Sequence, residues 1–269
     1  IPVWDDPIFL QAAKDFADAL AEHYDGDPRV EFIDISVFGN WGEWHTSTFI
    51  GNPMPSEEIQ KDMIKYYSDV FDKTWLCVTS GAYGEVYDYS RSLGIPKRVN
   101  GLIGSHNNEW NLRPNYYDNL PVIGENFLPY KMMLDPDKYA QGIVENYDEA
   151  YLRWTPQRFR ETIEISHLSI YAFDQDSKQS YEFYNEQRDL IREMNNRLGY
   201  NFTVTSAKRN ENQLLVTIKN TGLAPAFFNI ELAAEITDAK GNKLGNFGAP
   251  ILIGKGTFAD NTEKTFLFE

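Results

Sequence analysis

Two glutamates follow predicted strands, and together they have the chemistry to cleave a glycosidic bond. Glu43 lies in the segment Gly39-Asn-Trp-Gly-Glu-Trp-His45, and Glu125 directly follows Leu120-Pro-Val-Ile-Gly124. Glycoside hydrolysis uses two carboxyl groups: one protonates the leaving oxygen, and the other attacks the anomeric carbon or activates water. Because parallel strands present functional side chains at their carboxyl ends, we predict that Glu43 and Glu125 are catalytic.

The segment around Glu43 is unusually rich in residue types that suit a binding cleft. Trp41 and Trp44 would shield the carboxyl group from water and stack on a sugar ring, while Asn40 and His45 would hydrogen-bond to sugar hydroxyls. The glycines on either side permit the unusual backbone that a tight loop at a strand end needs. We predict that these four residues contact the substrate.

Further candidate contacts stand at the ends of other predicted strands. The predicted substrate-binding residues in these positions are Tyr83, His106, Asn107, Asn108, Asn126, Tyr171 and Asp174. Asp34 lies within a strand, which indicates a buried structural carboxylate. The chain has 4 histidines with no close ligand spacing, so we predict no metal. No nucleotide-binding glycine motif occurs, and no cofactor is expected.

Alternation of strands and helices predicts a parallel α/β sheet that belongs to a (β/α)8 barrel. Helices are predicted at 7–23, 56–71, 84–93, 136–150 and 177–197, and strands near 31–38, 74–79, 99–104, 120–124 and 165–170. Since a full barrel has eight strands, these five would be strands 4–8. Three βα units would then lie upstream of Ile1 or come from another chain.

After residue 199 the pattern changes to short strands separated by polar turns. Strands are predicted at 202–209, 213–219, 228–237 and 265–268, which is typical of a small all-β, immunoglobulin-like sandwich. We therefore predict a barrel domain over 1–199, lacking its first three units, and a sandwich domain over 200–269 that is itself short for its class.

Composition narrows the range of partners. The net charge of −15 argues against nucleic acid and anionic membrane surfaces. No run of apolar residues is long enough to span a membrane, and no signal peptide is visible. The 16 Tyr, 17 Phe and 6 Trp residues mostly indicate core packing, and some of them can also form a sugar-binding surface. A carbohydrate is the partner that these features favour.

The segments Phe32–His45, Ile103–Asn108, Pro121–Glu125 and Arg197–Tyr200 resemble those of a bacterial barrel family catalogued as a domain of unknown function. That family is similar to clan A, β-galactosidase-like glycoside hydrolases. The resemblance implies that Glu43 ends strand four as acid/base and that Glu125 ends strand seven as nucleophile. One departure is that Gly42 precedes Glu43 where clan A enzymes usually carry Asn.

Three functional hypotheses follow. The first is a retaining O-glycosidase that acts on a poly- or oligosaccharide outside the cell or at its surface, with the two carboxyl groups about 5 Å apart. The second is a carbohydrate-binding surface protein that keeps the barrel and its aromatic cleft without catalysis. The third is an assembly subunit whose missing half-barrel comes from another chain.

Overall fold

The computed structural model describes residues 2–46, 53–79, 81–102, 120–126, 129–135, 153–172 and 177–269. The chain forms two compact units, Ile1–Asn100 with Ile123–Glu125, and Gly101–Val122 with Asn126–Glu269. The domain boundary that the sequence predicts between residues 199 and 200 stays a prediction.

The helices of the described residues include the three that the amino-terminal sequence predicts. They are α1 (Pro7–Tyr24), α2 (Glu57–Val70), α3 (Glu85–Ser92), α4 (Tyr130–Leu134), α5 (Pro156–Ile165), α6 (Ser177–Glu186) and α7 (Arg188–Asn195). The Asp6 carboxylate accepts a hydrogen bond from the backbone N–H of Ile8 at 2.7 Å, which caps α1. Ser56 caps α2 in the same way. Within the described ranges, no helix has the length and apolar character that crossing a membrane requires.

Five parallel strands form one sheet in the order in which they occur along the chain. They are β1 (Phe32–Asp34), β2 (Trp75–Thr79), β3 (Lys97–Leu102), β4 (Val122–Asn126) and β5 (Ile170–Ala172), with sheet order β1-β2-β3-β4-β5. Asp34 is the register partner of Cys77, and Thr79 is the register partner of Arg98. The predicted alternation of strands and helices around a parallel sheet is therefore confirmed.

Two boundaries in the second unit differ from the prediction. The segment Thr162–Ile165, predicted to lead into a strand, is the last turn of α5, because Phe159, Thr162 and Ile163 recur at helical spacing and are buried. The single helix predicted over 177–197 is two helices, interrupted at Gln187, whose backbone φ is −121°. The helix predicted at 136–150 lies outside the described residues.

The carboxyl-terminal part of the chain forms antiparallel sheets. Its strands are β6 (Phe202–Asn210), β7 (Gln213–Asn220), β8 (Ile230–Leu232), β9 (Glu235–Thr237), β10 (Lys243–Asn246), β11 (Ile251–Ile253) and β12 (Glu263–Phe268). They pair as β12-β7-β6, β11-β8 and β10-β9. The strand predicted over 228–237 is two strands, because the chain leaves one sheet for another at Ala233 and Ala234.

A small apolar core joins two of these sheets. Ile218 of β7, Ile253 of β11 and Phe258 are buried in one cluster, against which Phe202 and Ile230 pack. The described residues thus show a five-stranded parallel sheet and three antiparallel sheets, and they contain no closed ring of eight strands. The closed barrel and the immunoglobulin-like sandwich stay predictions.

Candidate active site

The loop that follows β1 folds back tightly on itself. The backbone N–H of Asn40 donates to the carbonyl of His45 at 2.8 Å. Gly39 and Gly42 have φ values of 82° and 75°, a region in which glycine is favoured. A Cβ on Gly39 would lie 2.5 Å from the carbonyl oxygen of His45, and one on Gly42 would lie 2.6 Å from the Cβ of Ser36. The two glycines therefore allow the close turn that presents Glu43.

The two tryptophans of this loop have different surroundings. Trp44 is 1% exposed, and its indole N–H donates to the carbonyl of Ile35 at 2.5 Å. Its ring meets Phe38 edge to face at 5.2 Å, so Trp44 anchors the loop in the core and would have to leave it to touch a sugar. Trp41 is 81% exposed, and its ring centroid lies 6.2 Å from that of His45. The open aromatic face of the loop therefore belongs to Trp41.

The loop that follows β2 packs directly on the backbone of Glu43. A Cβ on Gly81 would lie 1.9 Å from the carbonyl oxygen of Glu43 and 2.8 Å from the carbonyl carbon of Trp44. Only a residue without a side chain permits this approach. Tyr83, two residues further along, is 78% exposed. The structure thus joins the loops that carry Glu43 and Tyr83.

Three carboxylates surround the guanidinium of Arg98. Its Nη1 donates to Oε2 of Glu125 at 2.8 Å, and its Nε lies 2.9 Å from Oδ2 of Asp34. Its Nη2 lies 3.9 Å from Oε1 of Glu43, whose other oxygen lies 3.2 Å from Nε2 of His45. The two predicted catalytic glutamates therefore approach one arginine, and all of these side chains except His45 are less than one third exposed.

This cluster fixes an upper limit for the separation of the two glutamates. Their nearest oxygens contact different nitrogens of one planar guanidinium, so they are at most about 9 Å apart. Retaining glycosidases separate their carboxyl groups by about 5–5.5 Å and inverting ones by about 6.5–9.5 Å. The limit admits both geometries, and the 5 Å separation stays a prediction.

The register of the sheet explains why Arg98 can reach two other strands. Side chains two residues apart on a strand share a face, so Cys77 and Thr79 of β2 lie on the same face as Asp34 and Arg98. Strands β1 and β3 are separated by β2 and so lie about 10 Å apart. The small side chains of β2 leave room for the long arginine to cross to Asp34, while its other side meets Glu125 on β4.

Burial and charge act against each other at this cluster. The pKa of Glu125 is raised overall, because burial and the negative charges of Glu43 and Asp34 together outweigh the lowering effect of Arg98. Burial also raises the pKa of Asp34, against the lowering effect of Arg98. The thiol of Cys77 has a raised pKa because it is buried next to Asp34, which makes it a poor nucleophile.

The remaining predicted contacts are distributed as follows. Asn126 and Tyr171 belong to the second unit, where the Tyr171 hydroxyl donates to the Asn126 side chain. Asn40 is 6% exposed, and neither of its amide atoms has a hydrogen-bond partner among the described residues. His106, Asn107, Asn108 and Asp174 lie outside the described residues.

Two residues of this cluster, Arg98 and Asp34, were not selected from the sequence as site residues. Arg98 precedes the strand that the sequence predicts from residue 99, whereas β3 begins at Lys97. Asp34 was expected to be structural because it lies within a strand. A usable signal exists for Asp34, because it is a charged residue inside a predicted buried strand and such a charge needs a partner.

Comparison with protein-family models, with curated proteins and with solved structures found no match. Within the described part of the chain, no group of three or more His, Cys, Asp or Glu side chains is placed to hold a metal ion. The geometry of the cluster around Arg98 is therefore the basis on which a function is proposed.

Proposed function

We propose that this protein is a glycoside hydrolase of the retaining type, acting on an extracellular poly- or oligosaccharide, with Glu43 and Glu125 as its catalytic pair. The observation that carries the proposal is the approach of both glutamates to one guanidinium, from the loop after β1 and from β4. Carboxylates that converge in this way, at a partly exposed position, have the arrangement that glycosidic bond cleavage needs.

The contacts of Arg98 distinguish the two glutamates. Arg98 donates a hydrogen bond to Glu125, whereas its nearest nitrogen is 3.9 Å from Glu43, beyond hydrogen-bond distance. A hydrogen bond from a cation favours the ionised carboxylate. We therefore assign the nucleophile to Glu125 and the acid/base to Glu43, which contacts the titratable ring of His45.

The proposed reaction has two steps. Glu125 attacks the anomeric carbon while Glu43 gives its proton to the glycosidic oxygen, so the leaving sugar departs as an alcohol and a glycosyl ester forms on Glu125. Glu43 then removes a proton from water, which attacks the same carbon and releases Glu125. Two inversions give a product with the original anomeric configuration.

Exposed aromatic rings beside the carboxylates support a carbohydrate as the ligand. Trp41 and Tyr83 are both mostly exposed, and they stand on the two loops that meet at Glu43. The exposed ring of Trp41 leaves a large apolar surface in contact with water. A pyranose ring that stacks on it would remove this surface from water, which is favourable. We propose that these two rings hold the sugars next to the bond that is cleaved.

One observation favours a second candidate, glycan binding without cleavage. The guanidinium of Arg98 stands next to both carboxylates, and a carboxylate that is held in an ion pair is less available to attack or to transfer a proton. In this case Arg98 and its partners would offer donors and acceptors to sugar hydroxyls. Binding would then survive neutralisation of Glu43 or Glu125, and no hydrolysis would occur with any glycan.

A glycan-panel hydrolysis assay separates the two candidates. The wild-type chain is incubated with neutral, acidic and amino-sugar polysaccharides beside Glu43→Gln, Glu125→Gln and the control Glu85→Gln. Glu85 pairs with Lys61 on the surface of the same unit and does not approach Arg98. The proposal expects release of reducing sugar by the wild type and the control, and a loss of at least about 100-fold in both active-site variants. Release that survives in either variant would contradict it.

A further inference from the structure

Asp34, which the proposed reaction does not use, contacts the Nε side of Arg98, opposite the side that holds Glu125. Its Oδ2 lies 2.9 Å from Nε, while Nη1 on the other side of the guanidinium donates to Glu125 at 2.8 Å. We propose that Asp34 is a positioning residue, which holds the guanidinium of Arg98 against Glu125 and away from Glu43. The inference rests on the proposed function, because it explains how the two glutamates acquire different roles.

Arg98 needs such a partner because its own side chain is flexible. An arginine side chain has many accessible rotamers, and three carboxylates compete for this one. Asp34, by contrast, is short and stands on β1, where its backbone is fixed by pairing with β2. A rigid anion at one edge of the guanidinium therefore determines where the other edge points.

We attribute the unequal distances from Arg98 to Glu125 and to Glu43 to the ion pair between Arg98 and Asp34. Nε forms an ion pair with Asp34 that lacks hydrogen-bond geometry, while the two terminal nitrogens of Arg98 lie 2.8 Å from Glu125 and 3.9 Å from Glu43. An arginine without that restraint would be free to move toward Glu43, which carries the same charge as Glu125. The restraint thus keeps the hydrogen bond on the glutamate that must act as an anion.

Asp34 could act on Glu125 through its charge alone or by positioning Arg98. The substitution Asp34→Asn changes the pKa of Glu125 in opposite directions in these two cases. Among the described residues, the charges that act on Glu125 are Arg98 on β3, Glu43 on the loop after β1 and Asp34 on β1. The negative charge of Asp34 raises the pKa of Glu125, so its loss alone would lower that pKa. Arg98 lowers the same pKa more strongly than Asp34 raises it. If Asp34→Asn releases Arg98, the pKa of Glu125 rises.

The test is an NMR titration that does not depend on turnover. The 269-residue chain is labelled with ¹³C at glutamate side chains and ¹⁵N at arginine, and the signals are assigned with Glu125→Gln and Arg98→Gln. In Asp34→Asn we expect a higher pKa for Glu125 and faster rotation about the Nε–Cζ bond of Arg98. The control Asp69→Asn removes an exposed carboxylate that pairs with Lys65 at 2.5 Å, and it is expected to change neither signal.

The same titration in the Arg98→Gln variant separates the positioning role of Asp34 from its charge. In Arg98→Gln there is no guanidinium to position, so adding Asp34→Asn must lower the pKa of Glu125. The same sign in both backgrounds, or an Arg98 that stays immobile in Asp34→Asn, would overturn the proposal. If a glycan substrate is found, Asp34→Asn is also expected to reduce kcat by about tenfold with little change in KM. A wild type without hydrolytic activity refutes the proposed function, whereas the titration still decides the role of Asp34.

Discussion

Gly81 offers the sharpest test of how the loop that carries Glu43 is held. A Cβ at this position would lie 1.9 Å from the carbonyl oxygen of Glu43, and ordinary contact requires at least about 3.4 Å. The Gly81→Ala substitution therefore forces the two loops apart by about 1.5 Å. The atoms it meets belong to the backbone of Glu43 and Trp44, so no side-chain rotation relieves the clash.

The displacement has two measurable consequences. Overpacking costs about 1–3 kcal/mol, so the free energy of unfolding in urea should fall by that amount. A misplacement of about 1 Å costs on the order of 100-fold in rate, so kcat/KM on a responsive glycan should fall at least that far. Gly245→Ala is the matched control, because a Cβ there meets nothing within 4 Å. A Gly81→Ala protein as stable and as active as this control would refute the packing argument.

Three further predictions concern other residues of the first unit. Burial lowers the pKa of Lys97 from 10.5 to about 8. Between pH 8 and 10.5 the unfolded chain therefore binds more protons than the folded protein, so the free energy of unfolding of the wild type should rise over this range. Lys97→Met should lose this rise in stability, because it has no amine that titrates; urea titrations of both proteins between pH 8 and 10.5 test this, and an equal rise in both would contradict it. Trp41→Ala should leave the unfolding free energy within about 0.5 kcal/mol while glycan affinity measured by calorimetry falls about tenfold. Arg98→Gln should move the acid limb of the pH–rate profile to higher pH, because it removes the cation that lowers the pKa of Glu125; an unchanged profile would contradict that role.

The sequence was most informative where local signals decide the structure. Helix α1 has apolar residues at helical spacing, and α2 begins after Ser56, so both were predicted almost to the residue. Short apolar runs placed the middle parallel strands to within about two residues, but β1 ends at Asp34, four residues before the predicted end, and β5 (Ile170–Ala172) begins where the predicted strand 165–170 ends. Glu43 and Glu125 were singled out because each stands at the end of such a strand, and the structure brings both to Arg98.

What the sequence could not supply depends on contacts between distant segments. The role of Arg98 follows from the register of β2 with β3, which is set by pairing and cannot be read from either strand alone. Trp41 and Trp44 both have positive φ values, yet the first ring is exposed and the second lies in the core. Neither conformation has a signal in residue type, because tryptophan seldom adopts positive φ.

Chemical rescue by azide is the most direct test of the proposed catalytic pair, because one experiment assigns the roles of both Glu43 and Glu125. Glu43→Ala and Glu125→Gly are incubated with azide and an aryl glycoside of the sugar that the wild type accepts, and the products are identified by proton NMR. We predict a glycosyl azide of inverted configuration from Glu125→Gly, where azide takes the place of the nucleophile, and one of retained configuration from Glu43→Ala. Two azides of the same configuration, or full hydrolysis by either variant without azide, would contradict the assignment of Glu125 as nucleophile and Glu43 as acid/base.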